Sequence, residues 1–314
     1  MKKVFILLLT LLSLTGCSNK KFEKNLFYMD TYINIKLYTT EQKANEAFIE
    51  LDKLYSKYHN MTDIYNEKSE ISKVNNSSED YIKVSNELLE ILKLGETWQS
   101  KSNGYFNINI GNLTKYWKDY KELNKIPPKE ELDKIKINNF KIEKNKVLNN
   151  NINFDLGGIA KGYVTSIAEE ILLENNIENY LISAGGNILA GKSYDKEYFS
   201  IGIEDPTKKG EIYKVIKGNN ISVVTSGGYE RFFEVDNKRY HHIIDPKTKY
   251  PSNSMLSATI VTKNDKIADI LSTTVFLMDK EKAIDLIESI PDTECILYIS
   301  KDEIIKSSGF SKYE

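Results

Sequence analysis

Alternating apolar and polar positions predict a half-buried strand near the start of the chain. Ile33, Ile35 and Leu37 share one side of residues 26–38. Elsewhere, apolar residues three and four positions apart predict helices, because that spacing puts them on one face. Helices are predicted at 41–58, 69–75, 85–100, 129–135, 159–174, 265–277 and 280–290. Further strands are predicted at 152–154, 180–183, 198–204, 212–216, 221–224, 231–235, 238–244, 256–262 and 294–300, with a hairpin at 137–147 and a strand or extended loop at 105–111.

The order of these segments indicates the fold class. Strands and helices mix without the strict alternation that builds a parallel sheet, so we expect an α+β fold. No repeat of solenoid or propeller length occurs, and no linker marks a firm internal boundary. We therefore expect residues 26–314 to form one catalytic or binding unit.

The N-terminal residues have the order of a secretory signal. Lys2 and Lys3 precede the apolar run Val4–Leu12, which is too short to span a bilayer as a stable helix, and Leu14-Thr15-Gly16-Cys17 follows. Cys17 after small residues resembles a bacterial lipobox, in which this cysteine is diacylated and becomes the new N-terminus. Residues 1–17 are then a lipoprotein signal peptide and 18–25 a polar tether. The alternatives are an ordinary signal peptide or a cytosolic chain with an apolar start.

Composition narrows the partners. The formal net charge is −2, with 43 basic and 45 acidic residues interspersed along the chain, which argues against a nucleic-acid surface. Once Cys17 carries lipid, only Cys295 remains, so an intramolecular disulfide is excluded. Cys295 lies in an apolar run and is expected to be a buried strand residue.

The segment 152–163 is the strongest local signal for ligand binding. A short strand is predicted to end at Asp155, the glycine pair Gly157-Gly158 forms a turn, and a helix follows with Lys161 in its first turn. Free N–H groups at a helix N-terminus favour an anion, and glycines allow its close approach. The alternative is an ordinary strand–helix turn with Lys161 on the surface.

Two further patterns carry candidate chemistry. Asp269 and Thr273 are four residues apart on a predicted helix, so their oxygens share a face and suit Mg²⁺; a helix-start Asp and a back-bonded Thr would give the same spacing. His241 and His242 lie in a predicted strand and face opposite sides, so at most one is expected in a site. Zinc clusters, nucleophile elbows, Walker loops and dinucleotide fingerprints do not occur.

The motifs in combination indicate a protein family far more specifically than any one of them alone. Their order along the chain is Leu14-Thr15-Gly16-Cys17, Met29-Asp30-Thr31, Asp155-Leu156-Gly157-Gly158-Ile159-Ala160-Lys161-Gly162, Ser183-Ala184-Gly185-Gly186-Asn187, Thr225-Ser226-Gly227, Arg231-Phe232-Phe233, His242-Ile243-Ile244-Asp245-Pro246 and Ala268-Asp269 with Thr273. This order resembles the ApbE family, the FAD:protein FMN transferases, once called thiamine biosynthesis lipoproteins. The resemblance runs from about Tyr28 to Leu277.

The resemblance implies a mixed α/β fold related to T-fold units, with FAD between two closely joined halves. It implies a Mg²⁺-dependent transferase, lipid-anchored on the extracytoplasmic face of the cell membrane. Such an enzyme moves FMN from FAD to a Thr or Ser hydroxyl of a target protein as a phosphoester and releases AMP. The implied targets are extracytoplasmic flavin-accepting subunits of sodium-pumping and related electron-transfer complexes.

The resemblance also implies roles for individual residues, carried over by motif. His242 would activate the acceptor hydroxyl, with His241 as its structural neighbour. Residues implied in FAD binding are Met29, Tyr105, Phe106, Asn107, Asp155, Lys161 and Ile244. Residues implied in Mg²⁺ binding are Gly158, through its carbonyl, Asp269 and Thr273. Many relatives have Gly in place of Asp30 and Asp in place of Asn107, so the contact at Asn107 would rely on its amide.

Two other functions remain open at this point. The first is a Mg²⁺-dependent FAD pyrophosphatase that uses water as the acceptor and releases FMN and AMP. The second is a lipoprotein that binds flavin without catalysis. The Asp269/Thr273 pair argues against the second, because a carrier does not need a metal.

Overall fold

The computed structural model describes residues 19–148 and 152–314. Cys17, the predicted signal peptide and Ser18 lie outside the described residues. The strands are β1 Lys20–Tyr28, β2 Thr31–Thr39, β3 Tyr81–Lys83, β4 Lys141–Glu143, β5 Lys146–Leu148, β6 Tyr180–Ala184, β7 Asn187–Ala190, β8 Phe199–Glu204, β9 Ile212–Gly218, β10 Ile221–Gly227, β11 Phe232–Val235, β12 Lys238–His241, β13 Ser257–Thr262, β14 Thr293–Ser300 and β15 Glu303–Lys306. The helices are α1 Glu41–Thr62, α2 Glu70–Asn75, α3 Asn86–Lys101, α4 Gly111–Glu122, α5 Lys129–Lys134, α6 Ala160–Glu174, α7 Asp265–Leu277 and α8 Lys280–Glu288, with a 3₁₀ turn at Phe310–Tyr313.

An antiparallel sheet of eight strands organises the molecule, in the order β1-β2-β6-β7-β10-β13-β14-β15. Four strands come from the chain before residue 191 and four from the chain after residue 220, and the two groups meet where β7 pairs with β10. This mixed architecture confirms the α+β prediction. Within the described residues, no helix has both the length and the apolar character needed to cross a bilayer.

Each face of the sheet has its own core. Helices α1, α6 and α7 cover one face, and the largest buried cluster lies between them and the strands. On the other face a smaller cluster joins β10, β13 and β14 to the β8–β9 hairpin and to Phe310 and Tyr313. A third cluster packs α4 and α5 against the β11–β12 hairpin. This third cluster holds the hairpin and with it His241; β12 ends at His241, so the predicted strand 238–244 is too long and His242 follows the strand.

The helix predictions from periodicity agree best with the structure. Helix α7 has the predicted bounds, and α6 begins within a residue of its predicted start. Both contain long apolar faces and are largely buried, so their patterns are strong. The turn at Asp236-Asn237 is also confirmed, since both residues take positive φ between β11 and β12.

Several segments differ from the predictions. Residues 20–25 belong to β1 and pair with β2, whereas the sequence analysis assigned them to a tether. Polar side chains dominate this edge strand, which hides its strand character and limits edge-to-edge pairing. Helix α4 was not predicted, because its buried residues are few: Gly111, Leu113 and Trp117. Strand β15, which pairs with β14 near the C-terminus, was not predicted from the sequence.

Residues 105–110 and 152–154, both predicted to be extended, form no regular strands. The two segments run beside each other as irregular chain. The Asp155 N–H donates to the carbonyl of Ile108 at 2.8 Å, and the Gly111 N–H donates to the carbonyl of Asn153 at 2.7 Å. These two bonds hold Asp155 in place although they do not form a β-ladder. The predicted strand before Asp155 is therefore wrong.

Candidate active site

Lys161 lies at the start of α6 and is tied to two elements. Its Nζ donates to the carbonyl of Gly157 at 3.1 Å and reaches Oδ2 of Asp269 on α7 at 3.3 Å. The side chains of Lys161 and Asp269 are 21% and 5% exposed. Lys161 is therefore a partly buried cation held against a buried carboxylate, and the alternative of a surface lysine is wrong.

Gly162 allows α6 and α7 to approach at this point. A Cβ added at Gly162 would lie 2.6 Å from Cβ of Asp269, which is closer than real Cβ contacts. The Gly162 N–H instead donates to Asp269 Oδ2 at 3.1 Å. The carboxylate thus sits at the N-terminus of α6, where backbone N–H groups and the helix dipole favour negative charge.

Thr273 lies one helical turn beyond Asp269 and faces the glycine turn. A Cβ added at Gly158 would be 3.5 Å from Thr273 Oγ1 and 3.3 Å from the ring of Phe106. Thr273 Oγ1 is also 3.4 Å from Ser226 Oγ, and Ser226 Oγ is 2.9 Å from Ser272 Oγ. The structure thus brings together the three residues predicted to hold a metal, Gly158, Asp269 and Thr273.

The chemistry of this donor set fits Mg²⁺ in part. A carboxylate, a hydroxyl and a carbonyl are hard oxygen donors, and Mg²⁺ commonly takes one or two carboxylates together with water and ligand phosphates. Across 19–148 and 152–314, no three His, Cys, Asp or Glu side chains group in a way that would hold a metal. Asp269 is the only such side chain in the set, so water and phosphate oxygens would have to complete the coordination.

Asp155 is positioned by groups on both sides. Its Oδ1 accepts from the Gly157 N–H at 2.9 Å, and its Oδ2 accepts from the Thr114 hydroxyl at 2.7 Å. The first bond stabilises the glycine turn, and the second connects the turn to α4. Thr114 was missed by the sequence analysis because α4 itself was not predicted.

The loop at 105–107 is buried apart from its first residue. Asn107 Oδ1 accepts from the Asn109 N–H at 2.8 Å, and the Phe106 N–H donates to Ser102 Oγ at 2.9 Å. The Tyr105 ring is partly exposed, with Lys247 Nζ 3.4 Å from its centroid. An aspartate at position 107 would accept the same bond as Asn107, so this turn does not depend on which of the two residues is present.

The two histidines occupy different environments. His241 packs edge-on against Phe276, its Nε2 lies 2.6 Å from the Ser252 carbonyl, and burial lowers its pKa. His242 places both its backbone N–H and its ring Nδ1 3.2 Å from the Arg231 carbonyl. Because a carbonyl only accepts, Nδ1 carries the hydrogen and Nε2 keeps its lone pair. With its hydrogen on Nδ1, a neutral His242 has Nε2 available to accept a proton.

The surroundings of His242 lower its pKa to about 4. Desolvation is the largest cause, and the positive charges of Arg231 and Lys161 act in the same direction, whereas the bond to the Arg231 carbonyl opposes them. The ring is nevertheless exposed. Lys161, at the start of α6, is among the charges that act on this ring.

Tyr65 is a second accessible aromatic residue in this region. Its side chain is 60% exposed, with Lys118 Nζ 3.3 Å from the ring centroid. Burial of one side raises its pKa, and the carboxylates of Asp155 and Asp30 contribute to the rise. No sequence pattern distinguishes it from the other tyrosines.

Met29 and Ile244, both predicted to bind FAD, have no described contact with Lys161 or Asp269. Met29 and Asp30 have φ of 53° and 56° and form the two-residue turn between β1 and β2. The Met29 N–H lies 3.4 Å from Nδ1 of His59. Ile244 is only 4% exposed and belongs to the cluster with Trp117 and Tyr240, so its side chain offers little surface to a ligand.

The chain is similar to known proteins over most of its length. Residues 29–297 match the model of the ApbE family. A curated FAD:protein FMN transferase from Vibrio cholerae is 29% identical over an alignment of 331 residues that covers 100% of this chain and 97% of the relative. One from Klebsiella pneumoniae is 26% identical, over 92% of this chain and 93% of the relative.

Solved structures give the same result for the fold. The crystal structure of the ApbE protein from Thermotoga maritima matches with a TM-score of 0.86 and 27% identity, over 94% of this chain and 99% of that one. The flavin transferase ApbE from Vibrio cholerae matches with a TM-score of 0.83 and 25% identity, over 94% and 100% of the two chains. The family model alone spans most of the sequence. The chain belongs to the ApbE family.

Proposed function

We propose that this protein transfers FMN from FAD to a hydroxyl group of an acceptor protein and releases AMP. The observation that carries the proposal is the placement of Lys161 against Asp269 at the start of α6, with Thr273 one helical turn further along α7 beside Gly158. The names of the relatives support the same reaction.

The N-terminus of α6 is suited to the pyrophosphate of FAD. Lys161 supplies a cation for phosphate oxygens, and the glycine turn before α6 allows their close approach. Negative charge grows on the equatorial oxygens and on the AMP leaving group as the pyrophosphate breaks, and a fixed cation stabilises it. Mg²⁺ held by Asp269, Thr273 and the Gly158 carbonyl would supply further charge neutralisation there.

His242 would act on the acceptor. Its Nε2 removes the proton of the acceptor hydroxyl while the hydroxyl oxygen attacks the FMN phosphorus. The bond between that phosphorus and the bridging oxygen breaks, and the bridging oxygen leaves with AMP. The proton held on Nε2 then passes to the AMP phosphate or to water. The products are one FMN phosphoester on the acceptor and one AMP.

The location of the reaction is a further part of the proposal. The lipobox predicts diacylation of Cys17, and two acyl chains suffice for stable anchoring. The enzyme would then work on the extracytoplasmic face of the cell membrane. Its acceptors would be extracytoplasmic flavin-accepting subunits of electron-transfer complexes.

One incubation separates the three functions. The protein is mixed with FAD and Mg²⁺, with and without an acceptor subunit, and FAD, FMN and AMP are separated by chromatography. The transferase predicts AMP in the presence of acceptor, without equivalent free FMN. Free FMN and AMP in equal amounts without acceptor would indicate a pyrophosphatase. Intact FAD in both mixtures, with FAD bound to the protein, would contradict catalysis and indicate a carrier.

A further inference from the structure

Arg231 joins two parts of the chain that are far apart in sequence. Its Nη2 donates to the carbonyl of Asp30 at 2.8 Å, and its Nη1 lies 3.5 Å from Oδ2 of the same residue. Its own carbonyl accepts from the N–H and from Nδ1 of His242, both at 3.2 Å. One residue therefore connects the β1–β2 turn to the ring of the candidate base.

The nature of these contacts explains why the residue is an arginine. Only two of the 43 basic residues in the chain are arginines, Arg231 and Arg239. A planar guanidinium can donate to a carbonyl and point a second N–H at a neighbouring carboxylate, which a lysine ammonium does less well. The exposed ion pair contributes little stability in itself, so the effect of Arg231 is expected on geometry.

The β1–β2 turn is itself a firm support. Met29 and Asp30 form a tight turn in which the chain has little freedom, and the Met29 N–H approaches His59 of α1. Helix α1 therefore contacts the β1–β2 turn, the turn accepts a bond from the Arg231 guanidinium, and the carbonyl of the same arginine contacts the His242 imidazole. Loss of the guanidinium would leave only the hairpin bonds to place the Arg231 carbonyl, and the imidazole that this carbonyl orients would shift with the hairpin.

We propose that Arg231 is a positioning residue for His242, which holds the imidazole in its Nδ1–H tautomer and orientation by anchoring its own backbone to the Asp30 carbonyl. This inference rests on the proposed function, because His242 must be the base for its position to affect transfer. Arg231 touches neither the reacting phosphorus nor the acceptor in this account.

A double-mutant cycle tests the inference. Arg231→Gln, His242→Ala and the double variant are compared in single-turnover FMN transfer at saturating FAD and acceptor. Arg231→Gln is expected to lower the transfer rate about 10- to 100-fold, since a misplacement of about 1 Å can have that effect. On the His242→Ala background the same change should alter the rate less than about twofold, because residues that act as one unit are not additive. The KM for FAD should stay nearly constant.

Controls keep the result interpretable. Arg239→Gln removes the other arginine of the same hairpin, which bonds Glu234 and contacts neither Asp30 nor His242. It should leave transfer unchanged. Arg231→Lys should recover part of the rate, because one ammonium can still donate to the Asp30 carbonyl. Thermal melting and FAD binding of each variant establish that it folds.

The outcomes are distinguishable. An inactive wild-type protein would contradict the proposed function itself. Wild-type activity together with full multiplication of the two single effects would overturn the positioning role, because Arg231 would then act independently of His242. A selective rise in the KM for FAD would also overturn it and would place Arg231 on the substrate. Equal losses of transfer rate in Arg231→Gln and Arg239→Gln would also overturn the positioning role, because the effect would then come from the charge of the hairpin.

Discussion

Replacement of Asp269 by asparagine tests the centre of the candidate site. The change keeps the size of the side chain and removes its charge. It affects three groups at once: the Lys161 ammonium at 3.3 Å, the Gly162 N–H at 3.1 Å and the predicted metal. We expect a folded protein that is less stable and that transfers FMN very slowly.

The magnitude follows from the geometry. Two unit charges 3.3 Å apart attract by about 5 kcal/mol at an effective dielectric constant near 20. Desolvation of both side chains offsets much of that attraction. Asparagine keeps an oxygen that can accept one of the two bonds, so we expect a net loss of about 2–3 kcal/mol in the free energy of unfolding. Such a loss lowers the Tm by about 4–8 °C.

The effect on transfer should be larger than the effect on stability. Removal of one charged group from a preorganised site commonly lowers kcat by about 100-fold or more. The assay compares FMN transfer by all variants at one temperature, at least 10 °C below the lowest Tm, over a range of Mg²⁺ concentrations. Asp292→Asn is the matched control, since its ion pair with Lys263 spans 3.6 Å and both side chains are about 60% exposed. Wild-type transfer by Asp269→Asn would refute the metal and phosphate roles, even if its Tm fell as expected.

Three further predictions follow from the described contacts. The transfer rate should stay nearly constant from neutral pH down to about pH 5 and should fall at lower pH, because desolvation and nearby cations lower the pKa of His242 to about 4. A fall centred at the ordinary histidine pKa of 6.5 would contradict the role of His242 as the base. Asp265→Asn should raise the Tm at pH 8 and have less effect near pH 5. Burial and the neighbouring Glu169 raise the pKa of Asp265, so this carboxyl ionises more readily in the unfolded chain and wild-type stability falls as the pH rises from about 4. An equal Tm difference at both pH values would rule this out. Thr114→Val should weaken FAD binding about 5- to 10-fold, measured by flavin fluorescence, because Asp155 loses its 2.7 Å bond; unchanged affinity would show that this bond does not orient a ligand group.

The sequence predicts local features of the site well. Asp269 and Thr273 share a face of α7 because their spacing is fixed by helical geometry, and the structure confirms it. Lys161 falls in the first turn of α6 as predicted, because the apolar rows of that helix are broad. Such features depend on residues that are close in the chain, and a single sequence contains that information.

The contacts between distant segments are not predictable in the same way. Lys161 meets Asp269 across 108 residues, and Arg231 meets Asp30 across 201. These contacts depend on the order of strands in the sheet, which the motifs do not encode. The edge strand β1 and the sparsely buried helix α4 were missed because their patterns are weak. Thr114 was therefore found only from the structure.

Mass spectrometry of an acceptor subunit would test the central claim most directly. The Ser18–Glu314 protein is incubated with FAD, Mg²⁺ and the flavin-free acceptor, with a parallel sample that contains a chelator. The account predicts that the acceptor gains the mass of one FMN less one water on a single Thr or Ser, and that the gain is absent in the chelated sample and with Asp269→Asn. An unmodified acceptor beside stoichiometric free FMN and AMP would contradict the account and make water the acceptor.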